Sequence, residues 1–167
     1  LVNNAGIAIS FKPAETMEDD VWNKVIDVNL NGVFWCCRAF GKHMLERGSG
    51  NIVNIGSISA QIVNYPQEQA NYNASKAGVH HLTRSLAAEW AARGVRVNCV
   101  APTYIETDLT RDVAANTDIS KHWIDGTPMG RMGQPSEIAS VILFLASDAS
   151  SLMTGSIVNA DGGYICW

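Results

Sequence analysis

Gly50-Asn51-Ile52-Val53-Asn54-Ile55-Gly56-Ser57 is a short, β-branched run closed by a glycine and followed by a serine. A run of that kind, bounded by turn residues, reads as a strand. Downstream, the small and polar residues 57–69, with Pro66 among them, read as a loop. A long helix is expected over about residues 70–92, with Ala74, Ala77, Leu82, Leu86 and Trp90 spread through it. It should stop at Arg93-Gly94, a cation followed by a C-cap glycine. Val95-Arg96-Val97-Asn98-Cys99-Val100 is a second strand. Strand, single helix, strand is the βαβ unit of a parallel sheet, with a right-handed crossover.

The alternation continues outward. Leu1-Val2 runs as a strand end into the turn Asn3-Asn4-Ala5-Gly6. Residues 16–45 read as mostly helical, with Thr16 as N-cap, acids in the first turn, and Trp22, Ile26, Leu30, Val33 and Phe34 at helical spacing. Residues 102–133 form a long irregular or partly helical excursion. Residues 136–146 are a helix with Ser136 as N-cap, and residues 156–160 a last strand. No repeat, low-complexity tract or linker interrupts the chain, so residues 1–167 are expected to be a single α/β domain.

Composition agrees. Apolar residues at 47% and charged residues at 17% suit a globular α/β protein. A net charge of -4 gives no basic footprint for nucleic acid and no polybasic segment for a membrane surface. No apolar run approaches the roughly 18 residues of a spanning helix. Cys36, Cys37, Cys99 and Cys166 have no metal-site or disulfide-framework spacing. They read as reduced, mostly buried thiols, with Cys36 and Cys37 on different helix faces, and that fits the cytoplasm. The chain opens on Leu1 without an initiator methionine or signal peptide, as if inside a strand, which suggests a fragment.

In parallel sheets the chemistry sits beyond the carboxyl ends of the strands. Asn4 and Gly6, Ser57, and Pro102-Thr103 all follow strands, so three strand ends point at one crevice. Tyr72 and Lys76 open the helix after the second of these ends and, four apart, share a face. An ammonium beside a phenol stabilises the phenolate and should lower its pKa toward use as an acid/base. A bare Tyr-x-x-x-Lys is more often ordinary helix decoration, and a lone turn, serine or mid-helix asparagine is equally bland. His80 and His81 read as helix surface or interface rather than metal ligands, and no metal site is expected.

The set is not bland. Gln69-Ala70-Asn71-Tyr72-Asn73-Ala74-Ser75-Lys76-Ala77-Gly78 resembles the active-site segment of the short-chain dehydrogenase/reductase family almost residue for residue. Asn3-Asn4-Ala5-Gly6, Val28-Asn29-Leu30, the strand ending in Ser57, and Arg96 through Pro102 resemble further segments of that family in its order. So do Thr127-Pro128-Met129-Gly130-Arg131, Pro135-Ser136-Glu137-Ile138-Ala139 and Asp161-Gly162-Gly163. The resemblance covers essentially the whole chain. It implies a Rossmann-like, doubly wound parallel sheet whose N-terminal cofactor half, with its glycine-rich turn, is missing here.

The resemblance also implies site roles. Tyr72 is the proton donor in reduction and the acceptor in oxidation. Ser57 bonds the substrate oxygen, although Ser59 competes for that role; position at the strand end favours Ser57. Asn29 interrupts its helix and helps hold a water that links to Lys76. Lys76 also grips the ribose of NAD or NADP. Asn4, Ala5, Gly6, Pro102, Ile105 and Thr107 join Tyr72 and Lys76 around the cofactor. Thr103 departs from a position where the family often has glycine. The implied enzyme interconverts a secondary alcohol and a ketone by hydride transfer and works as a tetramer or dimer. Ile62 through Gln67, the Ala88-Glu89-Trp90-Ala91 helix end and the terminal Gly163-Tyr164-Ile165-Cys166-Trp167 resemble polyol dehydrogenases and ketose reductases. Substrate choice is expected to rest on Asn64, Gln67, Glu68, Trp123 and Ile124, whose polarity suits a hydroxyl-rich substrate. The alternatives are a 3-oxoacyl-carrier-protein reductase and an inactive fragment or non-catalytic relative. Alone, these residues are expected to bind cofactor poorly and to be prone to aggregation through an open edge strand.

Overall fold

A computed structural model describes residues 1–167. Four parallel strands lie in the order β1 (Val2–Asn3), β2 (Gly50–Ile55), β3 (Val95–Pro102), β4 (Ile157–Ala160). The register runs from Gly50 opposite Val95 to Ile55 opposite Val100, and from Cys99 opposite Ile157 to Pro102 opposite Ala160. β1 is an edge, paired only with β2.

Strand side chains alternate between faces, and here both faces are apolar. Ile52, Val95, Val97 and Cys99 point to one side. There they pack against Val33 and Cys37 of helix α2 (Gly32–Arg47) and Val79, Leu86 and Ala87 of α3 (Ala70–Trp90). Val53 and Val100 point to the other side, against Leu145 of α6 (Pro135–Ala146). Helices on both faces of a parallel sheet make this the doubly wound α/β architecture expected.

The expected 16–45 helix is three pieces. Helix α1 (Asp19–Ile26) has Glu18 at its N-cap position without a side-chain capping bond, while Thr16 belongs to a separate 3-10 turn. Between α1 and α2, residues Asp27–Asn31 form a π-helical turn, with the Gly32 N–H reaching back to the Asp27 carbonyl. That extra residue in the turn shifts the helical phase. Val25, Asn29, Val33, Cys37 and Gly41 face inward, while Trp22, Phe34, Trp35 and Phe40 stay exposed. Helix α3 ends as expected, through a short 3-10 turn, on Gly94 in the left-handed conformation (φ +81°). Residues after β3 hold two helices, α4 (Asp108–Ala114) and α5 (Thr117–Asp125). At α6 the cap is Gln134, in a reciprocal box with Glu137, and Pro135 takes the first turn; Ser136 is inside the helix. Of the cysteines only Cys37 and Cys99 are buried, since Cys36 and Cys166 lie on exposed faces. All four are free thiols. No helix is long and apolar enough to cross a membrane.

Candidate active site

The carboxyl ends of β1, β2 and β3 open on a cavity of about 400 Å³. Asn4, Gly6, Ser57, Ser59, Tyr72, Lys76, Pro102, Ile105 and Thr107 all line it. Ala5 does not: it is exposed on the turn after β1. Asn29 does not reach it either, lying fully buried behind the lining.

Lys76 is the centre of the polar floor. Its side chain is buried, and its ammonium donates to the Ile55 carbonyl at the end of β2 (2.8 Å). No carboxylate neutralises it, and burial pushes its pKa down to about 8. An ammonium carries three N–H donors, so the single bond to Ile55 leaves two for a ligand. The ammonium lies 5.6 Å from the centroid of the Tyr72 ring. Tyr72 itself is half-buried. The expected lowering of its pKa is not what its surroundings produce. Burial raises it, and the Ser57 hydroxyl pulls only partly the other way. Desolvation is the larger cause.

Ser57 and Ser59 are both buried and act as a pair. Their hydroxyls are 3.0 Å apart, and the Ser59 N–H donates to the Ser57 oxygen at 3.1 Å. Ser57 caps the short 3-10 turn Ile58–Ala60, so its position follows from the strand end and its own capping bond.

Asn29 bonds three protein groups. Its amide donates to the Ile7 carbonyl (2.9 Å) and the Ser75 hydroxyl (3.1 Å), and its oxygen accepts from the Ile7 N–H (2.8 Å). It therefore ties the turn after β1 to α3. Gly6 lies between it and the lysine: a Cβ there would come 3.4 Å from the Asn29 oxygen and 3.6 Å from the Lys76 nitrogen.

His80 was expected on the helix surface or at an interface between subunits, and within the chain itself it is already buried, on the Tyr72–Lys76 face of α3. Its Nε2 accepts a long hydrogen bond from the Ser57 N–H (3.5 Å). Burial, with Arg84 and Lys76 nearby, pushes its pKa down to about 4. Eight-residue spacing from Tyr72 was the available signal, since it keeps the same helix face. His81, the next residue, is exposed.

Of the residues expected to choose the substrate, Asn64, Gln67 and Trp123 line the cavity, and Glu68 and Ile124 do not. Glu68 is exposed and Ile124 packs into the apolar cluster behind Trp123. Sequence reasoning missed Tyr104, which stacks on Trp123 with ring centroids 4.2 Å apart and planes at 4°. The signal was an aromatic two residues past the end of β3, where side chains alternate about the crevice. No group of three or more His, Cys, Asp or Glu residues comes together as a metal site would require.

Comparison with known proteins agrees with this arrangement. The family model described as enoyl-(acyl carrier protein) reductase matches residues 1–165. Galactitol 2-dehydrogenase of Rhizobium johnstonii is 60% identical over 167 residues, covering 100% of this chain and 65% of that protein. The 3-oxoacyl-[acyl-carrier-protein] reductase FabG of Chlamydia pneumoniae is 45% identical over 163 residues, covering 98% of this chain and 64% of its own length. The crystal structure of a gluconate 5-dehydrogenase from Burkholderia cenocepacia, in complex with NADP and tartrate, superposes with a TM-score of 0.96 at 38% identity. It covers 100% of this chain and 64% of that one. The chain thus spans just under two thirds of the length of the relatives it matches. A Tyr-Lys helix face at the carboxyl ends of a doubly wound sheet, matched along the whole chain, makes this a member of the short-chain dehydrogenase/reductase family.

Proposed function

We propose that the full-length protein carrying these residues is an NAD(P)-dependent oxidoreductase that interconverts a polyol and its ketose. The observation that carries this reading is the convergence of Tyr72, Lys76 and Ser57 on one cavity at the strand ends. The residues suit a nicotinamide dinucleotide. Lys76 has two spare donors in a buried setting, Gly6 leaves room beside it, and the Thr103 hydroxyl is buried without a partner at the cavity wall. Asn4, Gly6, Pro102, Ile105 and Thr107 would hold the nicotinamide end with Tyr72 and Lys76. When bound, the cofactor supplies or takes the hydride at the carbinol carbon.

The chain's own residues handle the oxygen and its proton. In reduction, the Tyr72 phenol gives its proton to the carbonyl oxygen as the alcohol forms. In oxidation, the phenolate takes the proton back, and the Lys76 charge lowers the cost of that phenolate. A raised phenol pKa keeps Tyr72 protonated at neutral pH, the form needed for reduction. Ser57 donates to the substrate oxygen by turning its single proton from Ser59 while still accepting the Ser59 N–H. Asn29 acts by holding Ile7 and Ser75, and so the cofactor turn, in place.

Two observations favour a polyol over an acyl thioester. The cavity lining includes Asn64 and Gln67, whose amides are groups suited to hydroxyls. Identity to a galactitol dehydrogenase exceeds that to a 3-oxoacyl reductase, 60% against 45%. The exposed aromatic face of α2, with Trp35 and Phe40 about half exposed, supports assembly as a dimer or tetramer. Free thiols support a cytoplasmic enzyme. The test is nicotinamide absorbance with galactitol, sorbitol and a 3-oxoacyl thioester, each with NAD and NADP. Turnover of the polyols is expected; turnover of the thioester alone would refute the polyol assignment.

A further inference from the structure

Behind the reacting groups, three distant segments meet at one phenol. The Tyr104 hydroxyl accepts from the Asn64 amide (2.9 Å) and, less closely, from the Gln67 amide (3.4 Å). The Gln67 oxygen accepts from the Trp123 indole N–H (3.3 Å), and Trp123 stacks on the Tyr104 ring. The Gln67 orientation follows from its partners. An indole N–H can only donate, so it takes the Gln67 oxygen and turns the Gln67 N–H groups toward the phenol. The phenol oxygen accepts from Gln67, and Asn64 is placed with its N–H side toward it as well. That leaves the Asn64 oxygen buried with no partner, on a residue 7% exposed that lines the cavity.

A buried acceptor without a partner is unfavourable until something donates to it. Nothing in the protein does. Resting on the polyol reading above, we propose that Tyr104 is the specificity-determining residue. By holding the Asn64 amide nitrogen, it reserves the Asn64 oxygen for a hydroxyl of the substrate remote from the reacting carbon. An alcohol without further hydroxyl groups leaves that oxygen unpaired and gains nothing from it. The site thus reads the second hydroxyl rather than the one that reacts.

The experiment compares kcat/KM for galactitol with that for 2-pentanol, which has one hydroxyl, in the full-length protein and in Tyr104→Phe and Asn64→Ala variants. Tyr104→Phe keeps the ring stacked on Trp123 and removes only the oxygen, so it should fold; circular dichroism and the melting temperature check this. The ratio of the two kcat/KM values is expected to fall about 10-fold or more in both variants. A ratio unchanged in both overturns the proposal. A ratio that falls only in Asn64→Ala overturns Tyr104 as the residue that orients the amide. A parent that turns over 2-pentanol but not galactitol refutes the polyol reading, and this inference with it. A parent active on galactitol with an unchanged ratio in the variants sinks this inference alone.

Discussion

The turn after β2 with the first turns of α3, and the stretch from Thr103 to Gly133, face each other across one cavity but are built differently. In the first, the main chain holds the central polar groups. Lys76 bonds the Ile55 carbonyl, Ser57 caps its own turn, and Asn29, behind them in the Asp27–Asn31 turn, bonds the main chain of Ile7. In the second, the key groups are fixed by other side chains: Tyr104 by Asn64, Gln67 and Trp123. Backbone anchoring survives changes in neighbouring side chains, so the reacting geometry can stay fixed. Side-chain anchoring can be rebuilt by one substitution, which suits substrate choice.

Breaking the first region should affect every substrate. Lys76→Met removes the buried ammonium, and kcat/KM should fall by roughly 10²–10³ on polyols and simple alcohols alike. Steady-state kinetics on both classes checks this; a loss confined to polyols would erase the distinction between the regions. The next largest effect is on stability in acid. The pKa of His80 is depressed to about 4, while an unfolded histidine titrates near 6.5. Between those values the unfolded chain binds more protons, so stability rises with pH there. It is fully present above about pH 6.5 and is lost as pH falls toward 4, by up to about 3 kcal/mol. Thermal melts at pH 7 and pH 4.5 should show the loss, and His80→Leu should flatten that dependence.

Gly56→Ala tests the packing beneath Ser57. A Cβ there would lie 2.3 Å from the His80 Nε2 and 2.7 Å from the Cys99 sulfur. Overpacking of that kind costs about 1–3 kcal/mol, visible as a lower denaturation midpoint. The smallest effect belongs to the second region. Trp123→Phe keeps an aromatic face for Tyr104 but loses the N–H to Gln67, worth about 1 kcal/mol. A loss several times larger would mean that the second region is anchored as firmly as the first.

The same contrast decides what the sequence could reveal. The βαβ unit was legible because Ile52, Val53, Val97 and Val100 are β-branched and punctuated by glycines. Tyr72 and Lys76 were legible because helical spacing alone puts them on one face. Helical spacing did not give the phase shift at Asp27–Asn31, since a π turn adds a residue without changing composition; only the family resemblance put an interruption at Asn29, where the π turn lies. Burial of His80 depends on Gly56 offering no side chain, a contact between residues 24 apart in sequence. The Tyr104 cluster joins residues from 64 to 123, and no local pattern encodes it. The direction of the Tyr72 shift was missed for a related reason. Spacing gives the neighbouring charge, but only the packed structure gives the burial that opposes it.

The most direct test of the central claim is galactitol oxidation by the full-length protein, followed by nicotinamide absorbance, beside its Tyr72→Phe variant. Removing one oxygen from a folded protein should lower kcat by at least about 10² and as much as about 10⁴, with the circular dichroism spectrum unchanged. A Tyr72→Phe protein that oxidises galactitol as fast as the parent would contradict the account.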